Sequence, residues 1–345
     1  MRSSRLLGFL GAVVLIACGG EEAGPGVPFE LKPLASTRLP TAFRGPTLIS
    51  LDTACVVDQY RIRGYCVDVR GDTLVFGNQG EGPGELSNNM MVEVAGGPYG
   101  DITIADPHLY RISRFSAEGV FVSSASTGGI TIGLQAMTDS TALTRHQARG
   151  DPVSANAEIH LETGEILRKW LPDPSVVTCR TPPGRGQSKI RGAYSAGTGI
   201  VHVACFGEFL LWYPSGVGEA VVIRSPTYRE RFTSEEAIAN IIRTRGNNPG
   251  GFDPGYAAED YRARAYPWYG RAGADTKGRL WILRLREDEG SYVDVYDLVS
   301  ASFSGTAELQ GNVSTIDILG DRLIALRRSD GLTDDVVDWY ELPED

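Results

Sequence analysis

A unit of three strands, a tight turn and a fourth strand recurs along this chain of 345 residues. The turns at Gly71-Asp72, Glu118-Gly119, Thr163-Gly164, Ser215-Gly216 and Val299-Ser300 close five copies. Most of them stand about 45 to 52 residues apart, the length of a four-stranded propeller blade. Third strands align best, at 65–69, 110–115, 158–161, 209–213, 292–296 and 336–340, and most alternate with the period of two of a half-buried strand. Second strands precede them at 54–58, 102–106, 141–146, 200–205, 279–285 and 322–327. With 42 glycines, 19 prolines and few helical stretches, the pattern predicts an all-β chain. The expected fold is a six-bladed β-propeller of four-stranded antiparallel blades over residues 29–345.

The sixth unit ends after its third strand, at Tyr340-Glu341-Leu342, with no sequence left for an outer strand. Phe29 to Leu39 is an unassigned strand candidate at the other end. It is expected to pair with the last blade and close the ring, because an open circle exposes two sheet edges that invite aggregation. One stretch breaks the repeat between blades 4 and 5. There Thr233-Ser234-Glu235-Glu236 forms a capping box, Ala237, Ile238, Ile241 and Ile242 make one apolar face, and Gly246 ends the run. A helical insert at 225–266 is therefore expected on a rim, where it would cover the funnel mouth.

The N-terminus has its own signature. Two arginines in Met1 to Arg5 precede an apolar run from Leu6 to Ala17 and the segment Leu15-Ile16-Ala17-Cys18. A basic start, a short apolar stretch and a small residue before a cut read as a secretory signal. The run is shorter than the roughly 18 to 20 residues that cross a bilayer. The tetrad resembles the bacterial lipobox, which implies cleavage after residue 17 and acylation of Cys18. Residues 18–28 then form a flexible tether. Gly19 resembles the pattern permitting sorting to the outer membrane, so the expected location is the cell envelope, facing the periplasm or the exterior.

Export makes the remaining cysteines, Cys55, Cys66, Cys179 and Cys205, an even set in an oxidising compartment, which favours two disulfides. Cys55 and Cys66 sit symmetrically about a hairpin turn. Cys179 enters blade 4 and Cys205 ends its second strand, on one rim. That pairing is geometrically reasonable, although the sequence leaves the other two connectivities open. No Cys-x-x-Cys or His-x-x-x-His spacing supports zinc. The formal charge is −10, and −12 once the signal with Arg2 and Arg5 is removed, which argues against nucleic acid or anionic lipid as a partner.

The segment Gly77-Asn78-Gln79-Gly80-Glu81-Gly82-Pro83-Gly84-Glu85-Leu86 resembles a Gly-x-x-Gly-x-Gly-Pro-Gly-Glu-Phe motif found between the first two blades of a family of bacterial six-bladed β-propeller lipoproteins. These are related to NHL-type propellers, and Leu86 replaces the usual phenylalanine. Two further stretches are similar to that family. Ile104-Ala105-Asp106 to Glu118-Gly119 looks like its strand, aspartate, strand and turn cassette, and Asp275-Thr276-Lys277-Gly278-Arg279-Leu280-Trp281-Ile282 looks like its blade opening. Blade 3 departs most, with polar Thr141, Thr144 and Arg145 at usually apolar positions. The resemblance implies fold and export and brings no general set of catalytic residues.

Candidate chemistry is sparse. The glycine-rich loop lacks the lysine or helix start of a phosphate cradle, and Glu81 and Glu85 would repel phosphate, so it reads as an inter-blade turn. No Gly-x-Ser-x-Gly elbow occurs, and His202 reads as a strand residue between blades. Asp58, Asp106 and His146 end second strands near the rim, with His108 nearby. They are the candidate ligands if the funnel holds an ion, calcium before zinc, as in lactonase-like propellers. No cofactor is otherwise expected. Aromatic and basic residues gather in the insert and its exit, among them Tyr228, Arg231, Tyr261, Arg262 and Trp268, a composition suited to recognition surfaces. The expectation is a monomeric, noncatalytic binding or scaffolding module for a peptide, glycan or protein, docked at the rim under residues 225–266. The alternative is a metal-dependent hydrolase or lyase of the lactonase-like type.

Overall fold

A computed structural model describes residues 27–344 apart from 40–44, 59–60, 89–91, 97–99, 139, 152, 181–188, 197–198, 216–217, 230–234, 236–238, 240–268, 286–289 and 328–334. Five four-stranded antiparallel blades follow one another in sequence order, spanning 47–76, 93–126, 129–170, 190–224 and 269–309, and a sixth is made of three strands over 313–341 with a fourth from residues 35–39. In the first five blades these strands run from the axis outward in chain order, and in the sixth the three strands of 313–341 do so with the N-terminal strand outermost. The six first strands meet one another in a closed circle, from the first blade round to the sixth and back. The chain is a six-bladed β-propeller. Among the described residues no helix is long and apolar enough to cross a membrane.

Alternation in the strands places one apolar row on each face of a blade, and the core is made where neighbouring rows meet. Ile102, Ile104 and Phe115 of blade 2 face Cys55, Val57, Cys66 and Phe76 of blade 1. Ala105 and Ile112 on the opposite face meet Leu134, Ala142 and Ile159 of blade 3. The polar residues of blade 3 fit this scheme. Thr144 is buried and its hydroxyl donates to the Ile132 carbonyl, whereas Arg145 points outward and donates to Ser154.

The ring closes through Ala35–Leu39, which pairs antiparallel with Asp335–Glu341 as the outer strand of blade 6. The segment Phe29 to Leu39 is not one strand, however. Phe29–Glu30 lies parallel to Ser302–Leu309 as a fifth strand on blade 5, and Phe29 meets Trp281 edge to face. Pro33 stands between the two pieces; with no N–H to donate and a fixed φ, it suits a crossing between sheets and not the middle of a strand. Leu34 then donates to the Trp339 carbonyl at 2.7 Å and starts the closing strand.

The expected helix falls almost wholly outside the described residues, as does any cover it gives the funnel. Glu235 and Ala239, which are described, are helical and exposed. The signal, Cys18 and most of the tether also lie outside them.

Candidate functional site

The funnel is lined by first strands, and most of these carry a bulge where their pairing with the second strand shifts: after Leu48, Ile132, Arg191, Tyr269 and Val313. A bulge leaves backbone groups without a ladder partner, and buried groups of that kind need one. Side chains from neighbouring blades supply it. Asp317 Oδ2 of blade 6 accepts from Leu48 N of blade 1 at 2.7 Å. The Glu93 carboxylate of blade 2 accepts from Gly133 N and, at 3.1 Å, from Leu134 N of blade 3. Gln135 of blade 3 accepts from Ser195 N of blade 4 at 2.7 Å and donates to the Ala272 carbonyl of blade 5 at 2.9 Å. These polar groups are committed to holding blades together. Burial pushes the Asp317 carboxyl up to about 6, against the pull of the Leu48 N–H and the Arg271 charge.

The three rim residues named as candidate ligands are engaged separately. Asp106 is buried and caps a turn, accepting from Ser87 N at 2.8 Å, Ser87 Oγ at 2.6 Å, and the N–H groups of His108 and Leu109. Asp58 accepts from Arg61 N at 3.0 Å. His146 Nε2 lies 3.1 Å from the Thr127 carbonyl, and burial lowers its pKa. Among the described residues no three His, Cys, Asp or Glu side chains come together as an ion would require. His202 is packed between blades, edge-on to Tyr213, with Nδ1 3.4 Å from Asn156 Nδ2.

The glycine-rich loop is a built turn. Asn78–Gln79 pairs parallel with Glu85–Leu86, Glu85 accepts from Gly82 N at 2.7 Å, and the Arg111 guanidinium donates to the Glu81 and Glu85 carbonyls. At Gly84 φ is +74°, and a side chain there would press on Phe121.

Both disulfides form as expected. Cys55 and Cys66 are direct cross-strand partners with Cα atoms 4.0 Å apart, and Cys179 joins Cys205 with a Cα separation of 5.1 Å. The second bridge lies next to Arg180, which lines a cleft at the outer part of blade 4. The chain turns tightly after strand 199–204, with φ of +50° at Cys205, +61° at Phe206 and +112° at Gly207. Glu208 follows. Its side chain is 4 % exposed, and it gathers three segments. Arg180 donates to the carboxylate from its backbone N at 3.3 Å and from Nε at 3.1 Å, Arg224 lies 3.8 Å away, and the Glu208 carbonyl accepts from Ser225 N at 2.9 Å. A cleft of about 420 Å³ opens over this knot, between the outer part of blade 4 and Ser302 and Phe303 of blade 5.

Behind the cleft lies a buried polar network. Tyr269 Oη is bonded to Ser225 Oγ at 2.7 Å, Asp294 Oδ2 at 2.8 Å and Tyr296 Oη at 2.6 Å, while Arg284 and Thr306 satisfy Asp294 Oδ1. Burial, with the Tyr296 and Asp294 neighbours, holds the Tyr269 phenol well above its ordinary range. The network fixes Ser225 to Thr227, the root of the insert, against blade 5.

Of the recognition residues expected from the sequence, Tyr228 lines this cleft, though most of it is buried in the core between blades 4 and 5. Arg231, Tyr261, Arg262 and Trp268 lie outside the described residues. The sequence reading missed Arg180, Glu208, Arg224 and Phe303. Proximity of Arg180 to Cys179 was the one available signal.

No family model matches the sequence, and no curated protein does either. Solved structures do. Regucalcin, a calcium-binding protein from Agrobacterium tumefaciens, superposes with a TM-score of 0.50 at 14 % identity, over 91 % of this chain and 96 % of that one. A candidate exported protein of Bacteroides fragilis gives 0.50 at 13 % identity, over 91 % and 95 %. At such identities the likeness is one of fold alone.

Proposed function

We propose that this chain is a noncatalytic binding propeller of the NHL-like lipoprotein kind, acylated at Cys18 and carried on the outer membrane, which holds a peptide, glycan or protein partner at the blade 4–blade 5 rim. The cleft over Glu208 carries this reading. It is a preformed cavity within the usual size of ligand sites, walled by arginine and aromatic side chains and stiffened by a disulfide and a buried network. The root of the insert forms part of its wall. The funnel offers less to a reaction, because Asp317, Glu93 and Gln135 are occupied with neighbouring blades.

The test is site-specific photo-cross-linking in the producing cell. Benzoylphenylalanine in place of exposed Ser302 should give a discrete adduct, and the same group at exposed Val122 on blade 2 should give none. Equal adducts at both positions, or none at either, would remove the reading. A stoichiometric divalent ion in the purified protein, lost when Asp58, Asp106 and His146 are replaced together, would favour a metal-dependent hydrolase or lyase in its place.

A further inference from the structure

We infer that the axial cavity where the first strands end takes a primary ammonium group on a short aliphatic chain, with Asp317 as its counter-charge. The site is separate from the cleft between blades 4 and 5. All six blades contribute to this cavity of about 270 Å³, and it opens among the hairpins that join first strands to second strands. That face is opposite the second-strand ends that carry Asp58, Asp106 and His146. Leu48, Met137, Ile318 and Leu319 give the cavity apolar walls, and the charged residues among its described lining are two acids, Asp275 and Asp317. Asp275 is committed to the Arg279 guanidinium at 2.7 Å and to Trp281 Nε1 at 2.9 Å. The hairpin residues outside the described set, 97–99, 139 and 197–198, include no lysine, arginine or histidine.

Asp317 is the unbalanced group. It is 7 % exposed, and among the described residues no basic side chain comes within ion-pairing distance of it. Leu48 N donates to its Oδ2 at 2.7 Å, and the Ile318 N–H adds a weaker bond. A carboxylate has about four lone-pair positions, so acceptor capacity remains for a donor inside the cavity. Arg271 of blade 5 is the charged side chain that acts on Asp317, and it does so from beyond contact, lining a separate small cavity with Glu93 and Val94 of blade 2. A buried charge without a partner is costly, and an amide would serve the Leu48 N–H without that cost. A bound cation accounts for a carboxylate at this position. A divalent ion needs several converging oxygens, whereas an alkylammonium is matched by one carboxylate for its charge and by apolar walls for its methylenes. The volume lies just below that of sites for drug-sized ligands, which suits a small amine or a single side chain.

Two sources share this chemistry, a free alkylamine and a lysine side chain of a partner protein. Ligand-detected saturation-transfer NMR on the full chain separates them, with n-butylammonium, N-acetyl-lysine methylamide and, as the uncharged control, n-butanol. Butylammonium should bind, and butanol should bind about tenfold more weakly or worse. Tighter binding of the lysine derivative than of butylammonium assigns a lysine side chain, and weaker binding assigns a free amine. Asp317→Asn, which keeps an acceptor for Leu48, should weaken butylammonium by about tenfold or more. Ala136→Leu, which narrows the mouth without removing a polar group, should do the same. Because burial raises the Asp317 carboxyl to about 6, its charged form, and with it the affinity, is present above that pH and should fall roughly tenfold between pH 7.5 and pH 5. Asp317→Asn should show no such fall. Equal binding of butanol, wild-type affinity in either variant, an affinity unchanged at pH 5, or no binding of butylammonium would each overturn the inference. The Ser302 photo-adduct should persist in Asp317→Asn, so the axial site and the rim cleft stand or fall separately.

Discussion

The Leu48 N–H donates to Asp317 Oδ2 across 2.7 Å, and this bond joins the first blade to the sixth at the axis of the ring. It also buries most of a carboxylate. Burial raises the Asp317 pKa from 3.8 to about 6. The folded protein therefore holds this proton more tightly than the unfolded chain, so the contribution of Asp317 to stability is fully present below pH 4 and is lost as the pH rises through 6. Asp317→Asn keeps an oxygen for Leu48 and has no charge to bury. It should unfold like the wild type at pH 4 and be more stable by about 2 to 3 kcal/mol at pH 7.5. Urea midpoints at the two pH values measure this, and an equal or lower midpoint for the variant at pH 7.5 would refute it.

Ring closure rests on a second buried contact, in which Trp339 Nε1 donates to Thr37 Oγ1 at 2.9 Å. Trp339 is fully buried, so Thr37→Val leaves its N–H with no acceptor while preserving shape. The expected cost is about 1 to 3 kcal/mol. Ser36→Ala on the same strand should cost less, because Asp338, which accepts from Ser36 at 2.6 Å, keeps the Arg327 guanidinium. Equilibrium unfolding followed by tryptophan fluorescence ranks the two.

How far the sequence reveals this molecule depends on whether the information is local. Strand alternation and hairpin turns are local, so the blades and the missing sixth outer strand are legible, down to strand 102–106 in blade 2 and 322–327 in blade 6. The division of Phe29 to Leu39 between two blades was foreshadowed by Pro33 but depends on where blade 5 presents its edge. The cleft is non-local: Arg180, Glu208 and Phe303 are separated by long stretches of chain, and only closure of blade 4 against blade 5 brings them together. A lone glutamate after a cysteine hairpin gives no pattern to read. The rim candidates Asp58 and Asp106 looked like ligands because buried acids at strand ends serve turns and ions equally well.

The two disulfides should differ in what they protect. In the chain-entropy account, the bridge across 26 residues contributes about 3.5 kcal/mol and the one across 11 about 2.8 kcal/mol. Their effects on stability are thus similar. Their effects on the cleft are not, since only Cys179–Cys205 holds Arg180 in place. Replacing both of these cysteines by serine should weaken or abolish the photo-adduct formed from position 302, whereas the Cys55→Ser/Cys66→Ser variant should cross-link like the wild type once both are shown to be folded.

His146 is buried within the strand Thr141–Ala148 of blade 3, and burial lowers its pKa below 6.5 despite the Thr127 carbonyl, which favours the charged ring. A depressed histidine stabilises the fold above its unfolded pKa and withdraws that support as the pH falls through its folded value. Its imidazole C–H resonance, identified by its absence in His146→Gln, should therefore titrate at a lower pH than that of a free imidazole. Titration at the ordinary value would mean that the blade 2–blade 3 interface admits water.

The position of Phe29 bears on how the propeller sits at a membrane. Phe29–Glu30 is paired to the outer edge of blade 5, and Leu31 is buried between blades 5 and 6, so the chain leaves the domain at a fixed point. Cys18 stands eleven residues earlier, and that length of chain spans roughly 40 Å at most. An acylated Cys18 would keep the edge of blade 5 within that distance of the bilayer, with blade 2 across the ring and farther away. Cys18→Ser should move the protein from the membrane to the soluble fraction and abolish incorporation of labelled palmitate without changing its thermal midpoint. In the lipidated protein, surface labels on blade 5 at Ser300 should be quenched by lipid-borne quenchers more strongly than labels at Val122. Equal quenching would mean that the exit point does not orient the ring.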